Sequence, residues 1–215
     1  MAITDYASLK TTLADYLHRS DLSDVVLSNF VQLGESRLNR KLRLLEQEAN
    51  ATVSLAAGAN TVALPAGWQE TIDVYYDEDK RHIQPQNLRG LNSQRSFDTT
   101  SGRPYLYATT NGTMAFEIFA DQNYDIVIDF YKRFDIIADL TNWLLTTAPD
   151  AYLYAALLEA KAYIKKQEDV ALWSQGLQTA IDDLNRLDNR TRRNATVRMD
   201  SAIVGGRAFD VVRGY

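Results

Sequence analysis

Few side chains in this 215-residue chain are of a type that does chemistry, and no spacing ties them into a reacting group. There is no cysteine, which removes disulfides, thiolate nucleophiles and thiolate zinc sites together. The two histidines, His18 and His82, fall on different expected elements. His18 sits near a helix C-terminus, where a cap is its ordinary role. His82 follows Asp77-Glu78-Asp79, but the run lacks the spaced oxygen ligands and the glycine of a calcium loop. It reads as a solvated turn. Asp182-Asp183 and Glu159 raise the question of a glycosidase pair. Adjacent acids on a helix point to different sides, however, and Glu159 is expected to pair with Lys161, Lys165 or a neighbouring subunit. No Walker loop, strand-linked GxGxxG, GxSxG or HExxH is present. The expectation is a non-enzyme with no catalytic, cofactor-binding or metal-binding residues.

The arginines carry more information. Residues 186–215 hold seven (186, 190, 192, 193, 198, 207 and 213) against three acids, a local +4 in a chain of net −5, so residues 1–185 carry −9. The helical pattern stops near Asn194. Beyond it, apolar residues scatter around Gly205-Gly206, too many for a typical disordered tail and too irregular to fold alone. Residues 195–215 therefore read as an extended docking arm. Its expected partner-binding residues are Arg190, Arg192, Arg193, Arg198, Ile203, Val204, Phe209, Val211, Val212 and Tyr215. Aromatics crowd residues 75–131, but their neighbours are Asp73, Asp77, Glu117, Asp121, Asp125 and Asp129. A base-stacking platform needs basic neighbours, so these rings are expected in a core or a protein-protein surface. Trp143 and Trp173 are expected as core or subunit-contact anchors.

Composition bounds the class. A hydrophobic fraction of 46% and a charged fraction of 24% are ordinary for a globular protein, of one domain or one domain with an inserted lobe. An isoelectric point near 5.1 argues against a body that grips nucleic acid. No apolar run approaches the roughly 20 residues of a membrane helix, and the opening residues lack the features of a secretory signal. Four Asn-x-Thr triplets (Asn50, Asn111, Asn189, Asn194) then read as chance. The absence of cysteine fits a reducing compartment.

The elements that must position these residues read as helices, then strands, then helices. Thr4-Asp5 caps a first helix of about 14 residues, with Tyr6, Leu9, Leu13, Tyr16 and Leu17 at helical steps. The cluster Ser20–Asp24 opens a long helix running through Val26, Phe30, Leu33, Leu38, Leu42 and Leu45. Residues 51–55 and 61–64 alternate about a turn and are expected to form a hairpin. Next come a strand at 70–76, a charged turn, a return at 82–84 and a short helix at 87–97. Asn111-Gly112 joins a second hairpin, and Tyr124–Tyr131 alternates as a further strand. Helices resume at Pro149, closing at Lys165-Lys166, and a last one starts near Glu168. The expected fold is mainly α with an inserted antiparallel β lobe. Residues 1–49 and 134–194 would form the helical bundle, 50–133 the lobe and 195–215 the arm.

Four stretches carry a resemblance. They are Tyr6-Ala-Ser-Leu-Lys with Leu13-Ala-Asp-Tyr-Leu-His-Arg-Ser-Asp-Leu; Phe30-Val-Gln-Leu-Gly-Glu-Ser-Arg-Leu-Asn-Arg-Lys-Leu-Arg; and Gly102-Arg-Pro-Tyr-Leu-Tyr ahead of Phe116-Glu-Ile-Phe. The fourth runs from Leu140-Thr-Asn-Trp-Leu-Leu through Thr-Thr-Ala-Pro-Asp to Ala160. In this order the chain resembles the head-to-tail adaptor proteins of short-tailed and related phages. The resemblance implies a virion structural protein made in the host cytoplasm and placed at the head–tail junction. It implies a ring, generally dodecameric, whose partners are the portal, its own copies and a distal tail or nozzle protein. It also implies that the C-terminal arm clamps the portal and that DNA passes through without specific binding. Two other readings compete. One is a nucleic-acid-binding module using Arg190–Arg198, with affinity falling steeply with salt. The other is a hydrolase, which would need carboxylates of raised pKa in a cleft.

Overall fold

The computed structural model describes residues 2–97, 100–164 and 169–194. Helix α1 (Tyr6–Leu17) opens on a capping box. Asp5 Oδ1 accepts the Ser8 N–H at 2.7 Å, and the Asp5 N–H donates to Ser8 Oγ at 3.0 Å. The Ser8 backbone bond, foremost, holds the Asp5 carboxyl below its usual range. Leu9, Leu13 and Leu17, four residues apart, are buried, and His18 closes the helix in the left-handed region at φ 50°. His18 is thus a cap, as its position implied.

Helix α2 (Asp24–Lys41) is capped by Ser23 and is shorter than its apolar pattern implied. Leu42 is already extended, and residues 45–47 form a single 3-10 turn. The pattern continued because Leu42 and Leu44 stay buried after the helix has ended. Gly34 sets the spacing of α2 against helix α6 (Pro149–Ile164): a Cβ there would lie 2.8 Å from the Ala156 nitrogen. Helix α6 is central, with Ala151, Tyr152, Ala155, Ala156, Leu157 and Ala160 fully buried, so its apolar residues surround it rather than forming one stripe. Helix α7 (Val170–Asn194) is instead amphipathic, burying Trp173, Leu177, Ala180, Ile181 and Leu184. Glu159 pairs with Arg37 of α2, Nε to Oε1 at 2.8 Å, a partner the sequence pattern did not indicate. Two short helices not anticipated, α4 (Ile136–Asp139) and α5 (Trp143–Thr147), bring the chain back to α6. Numbering runs in chain order, with α3 (Leu88–Phe97) lying among the strands.

The strands lie between α2 and α4. They are β1 (Glu48–Leu55), β2 (Thr61–Ala63), β3 (Trp68–Tyr76), β4 (Gln84–Pro85), β5 (Ser101–Gly102), β6 (Leu106–Thr110), β7 (Thr113–Phe116), β8 (Phe119–Ala120) and β9 (Tyr124–Lys132). The hairpin expected between residues 51–55 and 61–64 does not form. β1 pairs antiparallel with β9 in a sheet ordered β1-β9-β3, while β2 pairs with β7 in a second sheet, β2-β7-β6-β4. The intervening turn is held elsewhere: the Gly58 N–H donates to Ala120 O at 2.8 Å and the Ala120 N–H to Ala59 O at 2.9 Å. Alternation marks a strand but not its partner. The β6–β7 hairpin does form, with Asn111 and Gly112 both at positive φ (38° and 80°), the geometry that matches strand twist. The long pairings are antiparallel; β4 with β6 and β5 with β8 add short parallel ones.

Two apolar clusters result. One spans α1, α2 and α4 to α7; the other gathers Leu55, Val74, Tyr76, Met114, Phe116, Ile126, Ile128 and Phe130 between the sheets. The fold is α+β, with helices and antiparallel and mixed sheets in one chain.

Candidate docking site at the end of the last helix

The expected docking segment leaves the body through the last turns of α7, and these are tied down by charge. Asp188 and Arg192 share a face at a four-residue step, with Arg192 Nε bonding Asp188 Oδ2 at 2.6 Å. The other carboxylate oxygen accepts the Leu45 N–H at 2.6 Å, fastening α7 to the residues just after α2. Arg192 Nη2 reaches Glu48 Oε1, on the first residue of β1, at 2.8 Å. Asp188 first, and then Glu48, push the Arg192 guanidinium up. Beside them, Arg43 pairs with Glu70 at 2.6 Å and lies 5.9 Å from the ring centre of Tyr131. A cleft of about 220 Å³ opens alongside, lined by Leu44, Leu45, Trp143, Thr147, Leu187 and Thr191. Each exposed pair contributes about 1 kcal/mol or less; their joint effect is to fasten the last described turns of α7 to the residues after α2 and to β1.

Of the arm residues expected from sequence, Arg190 is exposed on α7 and Arg192 is held in this network. Arg193 lies in the last turn of the helix. Arg198, Ile203, Val204, Phe209, Val211, Val212 and Tyr215 lie outside the described residues. The structure adds Glu48, Tyr131 and Arg43. Only the Asp188–Arg192 step was visible in the sequence; the rest depends on how the strands pack.

The outward side of the three-stranded sheet is acidic. Asp129 stands across from both Asn50 and Asp73, with Glu48, Glu70 and Asp125 nearby on the same strands. Burial, then Asp73 and Glu48, raise the Asp129 carboxyl. His82 Nδ1 meets Asp73 at 2.8 Å. Among the described residues, no group of acids and histidines has the arrangement of a metal site. The aromatics sort as core: Tyr76, Tyr107, Phe116, Tyr124 and Phe130 are buried, while Tyr105 and Phe119 are exposed. Trp173 is buried and Trp143 packs partly buried against the bundle core.

One carboxylate is strongly perturbed. Glu35 is buried in α2, and desolvation lifts it to about 7, against the lowering effect of its hydrogen bonds. Its Oε1 accepts the Ile136 N–H at 2.8 Å and the Tyr152 hydroxyl at 2.7 Å; Asn142, the cap of α5, donates to the same hydroxyl at 2.7 Å. It borders an open groove of about 540 Å³. The groove's other acid, Asp135, is engaged in capping α4 through the Ala138 N–H. Glu35 therefore acts as a clamp between α2, α4, α5 and α6 rather than as one of a catalytic pair.

The model of one protein family, described as SU10 adaptor protein, matches residues 4–200. No curated protein matches the chain. With nearly its whole length covered, the chain belongs to the SU10 adaptor protein family and is a structural phage adaptor, a class that is not enzymatic.

Proposed function

We propose that this adaptor forms a ring, dodecameric with the portal, that joins the capsid portal to a distal tail or nozzle protein at the head–tail junction of the virion. In this reading residues 1–49 and 134–194 are a bundle that contacts neighbouring copies, 50–133 are a lobe, and 195–215 are the arm that docks on the portal. The observation that carries it is the fastening of α7 by Asp188 and Arg192, which gives the arm a fixed point of departure. Ordering such an arm costs roughly 1–2 kcal/mol per residue in backbone entropy, so its contacts on the portal are extensive. The acidic outward side of the β1-β9-β3 sheet supports a conduit function. DNA slides past a negative wall, whereas a basic wall would hold it through counterion release.

Sedimentation of the purified protein, alone and with its portal, tests this. The expected result is a free monomer that joins the portal as a ring, with proteolysis at residues 195–215 suppressed in the complex. A chain ending at Asn194 should stay folded and fail to attach. Normal attachment of that truncation would end the arm reading. The nucleic-acid alternative loses support, because Arg192 is already occupied by two carboxylates of its own chain.

A further inference from the structure

Helix α2 grips the chain that leaves the lobe at two points one turn apart. Asn39 takes both backbone groups of Phe134: its Nδ2 donates to Phe134 O at 2.9 Å, and its Oδ1 accepts the Phe134 N–H at 2.9 Å. Glu35, four residues earlier and so on the same face of the helix, takes the N–H of Ile136, the first residue of α4. The two grips differ in chemistry. An amide side chain has no proton to lose, so the Asn39 grip is constant with pH. A carboxyl becomes charged when its proton leaves, and Glu35 is only 6% exposed. Burial outweighs its hydrogen bonds and lifts it to about 7. Its surroundings on the buried side do not welcome the charge. Asp135 and Asp139, at the two ends of α4, oppose it. From α6 comes the Tyr152 hydroxyl, which burial and then Glu35 push up, and α5 contributes only the neutral Asn142 amide, bonded to that hydroxyl.

The groove side is different. Both hydrogen bonds fall on one oxygen of Glu35, Oε1, and the residue also borders the groove of about 540 Å³. Arg133 lines that groove, as do Gln32 and Ser36, which neighbour Glu35 on α2. A carboxylate turned into this space meets a cation, two neutral hydrogen-bonding groups and water. We propose that Glu35 is a proton-operated latch. With its proton it holds Ile136 and Tyr152; without it the side chain turns into the groove beside Arg133 and lets both go. Asn39 keeps Phe134 throughout, so β9, the central strand of its sheet, which ends at Lys132, stays where it is. The part that loosens is α4, strung between Phe134 and Leu140. Leu140 O accepts the Tyr6 N–H at 2.9 Å, so the far end of α4 is tied to the first residue of α1. Loss of one proton thus becomes slack between the lobe and the start of α1. The latch uses groups of one chain only, so it stands or falls apart from portal docking and from the ring.

The direction of one NMR shift separates this latch from a carboxylate that ionises where it stands. A hydrogen bond to a charged acceptor is the stronger one, so ionisation in place moves the Ile136 amide proton downfield, whereas turning away moves it upfield. In the full-length protein the Ile136 amide is expected to move upfield with a midpoint near pH 7. Its protection against exchange, corrected for the intrinsic rate, should fall at least about tenfold between about pH 5.5 and about pH 8.5. The Phe134 amide, held by Asn39, should keep its shift. Glu35→Gln removes the proton and should leave Ile136 flat over the same range. Arg133→Ala, at an exposed position, removes the cation that receives the carboxylate. It should raise the midpoint and at least roughly halve the upfield movement. Downfield movement of Ile136 would overturn the proposal, as would a titration that persists in Glu35→Gln or one that Arg133→Ala leaves unchanged. Should Glu35→Gln not fold, the shift direction in the natural sequence and the Arg133→Ala titration decide between the outcomes.

Discussion

The helical bundle and the β lobe hold together by different means. In the bundle, apolar residues from six helices form one cluster, and one of its tight points is a bare backbone approach, Gly34 against Ala155 and Ala156. Its principal polar feature is the Glu35–Tyr152–Asn142 clamp. The lobe relies on rings with polar handles. The Tyr76 hydroxyl donates to Pro104 O at 2.6 Å, and the Arg103 guanidinium stacks 3.9 Å from the Tyr76 ring centre while pairing with Asp79. Buried Glu117 accepts the N–H groups of Tyr105 and Leu106 at 2.6 and 2.9 Å. The difference teaches that the bundle is limited by volume and the lobe by satisfaction of its polar groups.

The sharpest way to break that contrast is to cut the lobe's own core. Phe116→Ala, at a fully buried position, should cost about 3–5 kcal/mol. If the two cores are separable, hydrogen exchange will show β6, β7 and β9 losing protection while α6 retains it. A uniform loss across both regions would mean they unfold as one unit.

Next is the clamp. Glu35 has a folded pKa raised from 4.5 to about 7, so the folded state binds more protons than the unfolded state between those values. Stability therefore falls as pH rises through that window and levels off above it. With a pKa unit worth about 1.4 kcal/mol, the drop is on the order of a few kcal/mol. Asp135 and Asp139 reinforce the shift, and the groove also holds Arg133. Glu35→Gln keeps an acceptor for Ile136 and Tyr152 and should flatten this part of a denaturation-against-pH profile. An unchanged slope would locate the titrating group elsewhere.

Gly34→Ala comes third. Its Cβ meets backbone rather than a yielding side chain, so about 1–3 kcal/mol should be lost. Gly58→Ala meets open space but sits at φ 77°, so its cost is only backbone strain. Thermal melts of the two variants separate volume from conformation. Smallest is Arg192→Ala, expected to lower global stability by about 1 kcal/mol or less. Its signature is faster exchange confined to the last turns of α7, and a melt shifted as much as that of Gly34→Ala would show the network to be more than a local tether.

Legibility in the sequence divides along the line between local and distant contacts. Local chemistry was readable: caps at Thr4-Asp5 and within the cluster Ser20–Asp24, where Asp5 and Ser23 serve, and Asn111-Gly112 as a hairpin turn. Features that depend on distant contacts were not. Alternation at 51–55 announced a strand but could not choose β9 over β2. The buried Leu42 and Leu44 carried a helical rhythm past the helix's end. Glu35 looked like any helix acid until Ile136 and Tyr152 were placed beside it. Glu48 and Arg192, which together fasten the last turns of α7, gave no local sign of each other.

That fastening has a mechanical consequence. Tension applied beyond Asn194 reaches Arg192 and Asp188 before it reaches the apolar face of α7. From Arg192 it passes into Glu48 at one end of β1, and from Asp188 into the turn after α2. A pull along β1 shears its ladder, so the hydrogen bonds to β9 resist together instead of opening one at a time. The helix, about 37 Å long at 1.5 Å per residue, then works as a stiff rod braced near the end where the force enters.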